Sequence, residues 1–153
     1  MTYQIIRDDL SGLEIQALIK EHLAGMHSTS PPESVHALGL EALRAPEVTL
    51  WSVWQGPVLC GCGALKDLGQ AHGEVKSMRT RAAFLRQGVG QAVLTHLLDH
   101  AKAAGYSKLS LETGTTGAFK AAHQLYLRHG FTFCGPFGAY QQDGFSVFMT
   151  KLL

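Results

Sequence analysis

The sequence predicts one α/β domain: a mixed, mostly antiparallel sheet flanked by helices, in the order β-α-α-β-β-β-α-β-α-β-β. Three observations predict it. Apolar runs at 48–54, 58–68 and 73–80 are separated only by short turn signals, which makes them consecutive antiparallel strands. A strand–helix–strand unit over 73–113 follows, and such a unit makes a parallel pair with a right-handed crossover. The chain has 153 residues, 46% of them hydrophobic and 16% charged, which suits a single domain with a real core and excludes disorder.

Each element has a local signature. "YQIIR" (3–7) reads as a short strand. "DDLSGLEIQALIKEHLAGM" (8–26) carries Leu13, Ile15, Leu18, Ile19 and Leu23 mostly at helical spacing, with Ser11 and Glu14 in the arrangement of a capping box. Pro31 and Pro32 stop that helix, and "ESVHALGLEAL" (33–43) reads as a second, shorter one. "VTLWSVW" ends at Gly56-Pro57, a hairpin signal, and "VLCGCGALKDL" ends near Gly69. In "GEVKSMRT" the apolar residues Val75 and Met78 are three apart, the wrong parity for a regular strand; a β-bulge between them would restore one face. Val89, Val93, Leu97 and Ala101, with Leu94 and Leu98 beside them, predict a helix from about Gly88 to Ala104, stopped by Gly105. Then come a strand at 108–113, a helix at 115–130 ending on Gly130, and strands at 131–135 and 146–153, the last two joined by the turn-rich "PFGAYQQDG".

The totals bound the function. A net charge of +1 argues against a general attraction to nucleic acid or to an anionic membrane. No apolar stretch approaches the ~20 residues that span a bilayer. The opening "MTYQIIRDDLSG" lacks the basic and apolar regions of a signal peptide, so a cytoplasmic location is expected. Cys60, Cys62 and Cys134 read as small hydrophobes in a reducing compartment. No metal site is expected: no second Cys/His pair has ligand spacing, and the pair His96 and His100 lacks the Glu of a zinc helix.

"FLRQGVGQAVL" (84–94) sets two glycines and two polar side chains at a predicted helix start. The first amides of a helix have no internal partner and carry partial positive charge, and glycines let an anion come close to them. Arg86 adds a charged donor. The stretch is not a P-loop, since no Gly-Lys-Ser/Thr follows. It is a poor dinucleotide fingerprint, because Val93 stands where a third glycine is needed.

With its neighbours, the stretch resembles the GNAT acetyltransferase superfamily. "GEVKSMRTRAAFLRQGVGQAVLTHLLDHAKAAGYSKLSLET" and "AAHQLYLRHGFTFCG" match that superfamily's bulged strand, its Gln/Arg-x-x-Gly-x-Gly/Ala loop and its Leu-Tyr-x-x-x-Gly-Phe signature. The match covers residues 73–135, about half the chain; "SPPESVHAL", "GCGALK" and "SVFMTKLL" further resemble a small bacterial branch. The resemblance implies acetyl-coenzyme A as donor. Its pyrophosphate would rest on the amides of Arg86, Gln87, Gly88, Val89, Gly90 and Gln91. Its pantetheine arm would pair, like an added strand, with Met78 and Thr80 around Arg79. Two positions depart from the pattern: Leu85 replaces the loop's first Gln or Arg, and Phe119 replaces an Asn and would line the apolar arm.

The resemblance also implies roles. The Met78 amide would meet the developing oxyanion, and Tyr126 would protonate the leaving thiolate. Glu74, at the proposed bulge, is the leading base, acting through a water. His27 and His36 border the expected acceptor pocket and could serve instead. Acceptor recognition is expected from residues 25–38, the loop after residue 112 and the loop 136–144, with Trp51, Trp54, Phe137 and Tyr140 as an apolar wall. Few carboxylates are available to these segments, which disfavours a polyamine and favours a small amine or an amino-acid-like acceptor. Two other readings stand beside it: protein or peptide N-acetylation, and a non-catalytic acyl-coenzyme A sensor. The apolar C-terminal strand permits a homodimer.

Overall fold

The structure is a computed structural model that describes residues 2–29, 31 and 38–153. Among the described residues seven strands form one sheet: β1 (Gln4–Asp8), β2 (Val48–Gln55), β3 (Val58–Asp67), β4 (His72–Thr80), β5 (Lys108–Gly114), β6 (Thr132–Cys134) and β7 (Ser146–Leu152). Their spatial order is β1-β2-β3-β4-β5-β7-β6. All neighbours are antiparallel except β4 and β5, which are parallel, as the strand–helix–strand unit requires.

The helices are α1 (Leu13–Thr29), α2 (Leu40–Leu43), α3 (Val89–Ala103) and α4 (Lys120–Arg128). Three boundaries differ from the expectation. Ser11 does not cap α1: its hydroxyl donates to the Asp9 carboxylate at 2.6 Å, and the helix begins two residues later. Of the helix expected at 33–43, residues 40–43 are helical while Leu38 and Gly39 are not; residues 33–37 lie outside the described residues. The helix expected from residue 115 begins as a 3₁₀ turn, Gly117–Phe119, before α4. The predicted stops hold. Gly105 and Gly130 are left-handed (φ 89° and 91°), and each closes its helix with the paired bonds of a Schellman motif. Tyr106 N–H donates to Ala101 O and Gly105 N–H to Lys102 O; Phe131 N–H donates to Tyr126 O and Gly130 N–H to Leu127 O.

Each face of the sheet carries its own core. Under α3 and α4 lie Trp51, Val53, Leu65, Val75, Val89, Val93, Leu94, Leu97, Leu109, Leu111, Tyr126 and Met149. On the other face Ile15, Leu18 and Ile19 of α1 and Leu43 of α2 cover Leu50, Leu59, Cys62 and Ala64. Two glycines let α3 reach the sheet. A Cβ on Gly61 would lie 2.6 Å from Arg79 O and 2.8 Å from Val89 Cγ1; one on Gly63 would lie 2.9 Å from both Met78 Sδ and Val93 Cγ2. The small residues of β3 therefore fix how closely the start of α3 approaches β4.

The parity break in β4 is a bulge. Cys62 pairs with Arg79 and Ala64 with Lys76, so Ser77 and Met78 together face the single residue Gly63. Ser77 takes φ 55° to make the extra step. Val75 and Met78 both pack into the α3-side core as a result. β3 contains a second irregularity: Val53 pairs with Gly61 and Trp54 with Leu59. The extra residue, Cys60, joins the α3-side core while Cys62 joins the α1 side.

Candidate active site

β4 and β5 separate early. They pair only over His72–Glu74 and Lys108–Ser110. Beyond that, β4 continues to Thr80 along β3 and β5 continues to Gly114 along β7. The backbone groups that these strands turn toward each other have no strand partner, and buried backbone polar groups need one. The bulge at Ser77–Met78 lies on the wall of this gap, with Met78, Arg79 and Thr80 half-buried along it.

The start of α3 stands beside the same stretch of sheet. Gly88 precedes the helix in the left-handed region (φ 82°), and the first amide bonded back is that of Ala92, to Gly88 O at 3.0 Å. The amides of Val89, Gly90 and Gln91 therefore lie in the helix's open first turn. Arg86 is also left-handed (φ 62°), which bends the loop ahead of the helix, and Tyr3 holds it by donating to Gln87 O at 2.6 Å. Arg86, Gln87, Gly88 and Gln91 are exposed; the Val89 side chain is buried in the core, so only its backbone is available. Gly90 packs toward Leu125 of α4. At the far end of β5, the Phe119 ring covers Gly114, where a Cβ would clash with it, so Phe119 sits at the β5 side of the gap. Arg79 contributes no side chain to the gap: it turns to α1 and pairs with Glu21 at 2.9 Å.

Tyr126 projects from α4 into the α3-side core, edge-on to Phe131 at 5.8 Å between ring centres. Burial, reinforced by the nearby Glu112 charge, pushes its hydroxyl well above the ordinary phenol range. The phenol therefore keeps its proton and has one to donate.

A pocket of about 740 Å³ opens on the opposite face of β3 and β4. The loop 135–145 forms its outer wall through Phe137, Tyr140 and Phe145; Leu38 and Leu68 add apolar surface. Its floor holds Glu74, Lys76 and Lys66. Glu74 Oε2 accepts hydrogen bonds from Lys76 Nζ at 3.0 Å and from the Tyr140 hydroxyl at 2.5 Å, and Lys76 also donates to Tyr140 at 2.9 Å. The Glu74 and Lys76 side chains are 4% and 8% exposed, so this is a buried, mutually satisfied cluster. Burial first, and the Glu74 carboxylate second, hold the Tyr140 phenol far above its ordinary range. Glu74 does not sit at the bulge, as the strand parity suggested: it lies three residues before Ser77, in regular register with Lys66 and Ser110. Its Oε1 accepts no hydrogen bond among the described residues.

The expected acceptor residues separate. Glu74 and Tyr140 meet in the pocket, with Phe137 packed on Tyr140 at 5.1 Å. Trp51 lies on the other face of the sheet, under α3, against His96 (5.4 Å) and His100 (4.8 Å). Trp54 packs under α1 and donates to Ser52 Oγ at 2.8 Å. His27 is exposed on the last turn of α1 and does not line the pocket. His36 lies outside the described residues. The sequence reading passed over Lys66. Its register opposite Glu74 was the available signal, but reading it required the β3–β4 pairing. Among the described residues no group of three or more His, Cys, Asp or Glu could hold a metal ion, and no helix is long and apolar enough to cross a membrane.

Known proteins resemble this chain in sequence and in fold. The model of the acetyltransferase (GNAT) family matches residues 14–131. The uncharacterized N-acetyltransferase YsnE of Bacillus subtilis is 55% identical over 146 residues, 95% of this chain and 97% of that protein. The uncharacterized N-acetyltransferase YedL of Escherichia coli is 50% identical over 151 residues, 99% and 95% of the two chains. An IAA acetyltransferase of Azospirillum brasilense is 39% identical over 124 residues, 80% of each. A solved Klebsiella pneumoniae structure, provisionally assigned as an acyl-CoA N-acyltransferase, superposes with a TM-score of 0.81 at 28% identity and covers 99% of this chain and 98% of its own. A Bacillus subtilis acetyltransferase solved in complex with CoA shares the fold at a TM-score of 0.73 and 14% identity, each chain covered to 99%. With a family match spanning most of the domain and relatives at half identity over nearly their whole length, this chain belongs to the GNAT acetyltransferase family and is an acyltransferase.

Proposed function

We propose that the protein transfers an acetyl group from acetyl-coenzyme A to the amine of a small or amino-acid-like acceptor. The observation that carries the reading is that β4 and β5 part just beyond Glu74, which lines the pocket, while the open first turn of α3 stands beside the far end of β4. The residues present fit the donor. The open amides of α3, with Arg86 beside them, suit a diphosphate, and unpaired strand backbone suits an amide-bearing arm. The fold neighbour that holds CoA supports the same fit.

The donor supplies an activated thioester carbonyl; the chain's own residues do the rest. Glu74 Oε1 takes the amine proton through a water, while Lys76 and Tyr140 hold Oε2 and fix the carboxylate's orientation. The Met78 amide, at the break in strand register, donates to the carbonyl oxygen as negative charge grows there. The amine nitrogen bonds to the carbonyl carbon and the carbon–sulfur bond breaks. Tyr126 gives its proton to the departing sulfur, so that the products are an amide and a free thiol.

Release of free thiol, followed with acetyl-coenzyme A across a panel of primary amines, tests this. Tyr126→Phe is expected to lower kcat ten- to a hundredfold, within the range for a general acid, with donor affinity retained. Equal kcat in wild type and variant would remove Tyr126 from the chemistry. Donor binding without turnover on any amine would favour a sensor instead.

A further inference from the structure

We infer that the acceptor bears a carboxylate and an apolar side chain, and that Lys66 is the residue that selects it. The inference rests on the transferase reading and names its substrate class. Lys66 stands directly opposite Glu74 in the β3–β4 register, so the two side chains share one face. An ion pair between them would be the ordinary outcome. Glu74 instead turns to Lys76 and Tyr140. Lys66 is left half-buried on the pocket floor with no ion pair or hydrogen bond among the described residues.

The other acid on the pocket wall does not replace Glu74. Asp143 is exposed, and its Oδ1 accepts from the Phe145 amide at 2.9 Å within its own loop. Glu74 and Lys76 pair with each other, which leaves Lys66 as the pocket cation with no ion pair among the described residues. Around it the walls are apolar and aromatic: Leu38, Leu68, Phe137 and Phe145. A cation in such surroundings favours an anionic ligand, and a charge-assisted bond there outweighs a neutral one. Adjacent strand positions bring Lys66 and Glu74 close enough for the carboxylate and amine of one small molecule to reach both. A free amino acid with an apolar side chain satisfies all three features; a polyamine offers only the amine.

The test compares ligands that differ only in charge. L-phenylalanine and L-phenylalaninamide, and L-leucine and L-leucinamide, are titrated calorimetrically into the coenzyme A-saturated protein and used as acceptors. The acids are expected to bind at least about tenfold more tightly and to show a correspondingly higher kcat/KM. In Lys66→Gln that ratio falls toward one, mainly through KM; Lys66→Arg, which keeps the charge, retains a preference and reports a folded pocket. Equal affinity for acid and amide in the wild type, or an unchanged ratio in Lys66→Gln, overturns the inference. Binding is read without turnover. Acid preference that depends on Lys66, with no acetyl transfer, therefore supports the inference and counts against the transferase reading alone. Transfer to both members of each pair at equal rates does the reverse.

Discussion

Single residues carry the electrostatic design. His22 on α1 is 4% exposed, its Nδ1 has no partner among the described residues, and Arg79 stands nearby. Burial first, and the Arg79 charge second, lower it from 6.5 to about 4. The unfolded chain therefore binds a proton below about pH 6.5 that the folded chain refuses until about pH 4. Stability is complete above the unfolded value and falls as pH drops through that window, by roughly 3 kcal/mol for a shift of this size. Urea unfolding between pH 7 and 4 should show the decline, and His22→Gln should flatten it. An unchanged slope in the variant would assign the acid sensitivity elsewhere. Single residues were also the least legible in the sequence. Trp51 and Trp54, three apart on β2, alternate to opposite faces of the sheet, so they could not share one wall, and which face each meets is set only by the helices packed there. The bond from Tyr140 to Glu74 joins residues 66 positions apart, brought together only by the sheet.

Elements were read more reliably because their signals are local. The glycine stops of α3 and α4, the bulge in β4 and the succession of elements along the chain all followed from spacing; the insertion of β7 between β5 and β6 did not. Helix starts did worse. Asp9 competes for Ser11 with the backbone amide that a cap would bind, and side-chain-to-backbone alternatives of this kind are what make Ser and Asp ambiguous near helix ends. At this scale the contact between α3 and β3 is the testable one. Gly61→Ala places a Cβ against Arg79 O and Val89, and backbone on one side cannot move aside cheaply. We expect a loss of about 1–3 kcal/mol in denaturant unfolding, with weaker donor binding as the start of α3 shifts away from β4. A variant as stable as the wild type, with unchanged donor affinity, would show that the close approach does not position the site.

Across the whole molecule, one topological fact relates the two halves of the proposed site. The parallel β4–β5 pair opens after three residues, α3 delivers its open amides beside that opening, and the pocket with Glu74, Lys76 and Tyr140 lies on the opposite face of the sheet. The features of the proposed donor side were legible because glycines and a parity break mark them in the chain. Those of the proposed acceptor side were not, because the pocket's walls come from β3, β4 and a distant loop, and part of the segment expected to line it lies outside the described residues. The claim on which the account depends is that the start of α3 holds the diphosphate of the donor. Calorimetric titration with coenzyme A and with pantetheine, which lacks the diphosphate, tests it most directly. The account predicts clear binding of coenzyme A and at least a hundredfold weaker binding of pantetheine, about 2.7 kcal/mol; equal affinities, or no binding of coenzyme A, would contradict it.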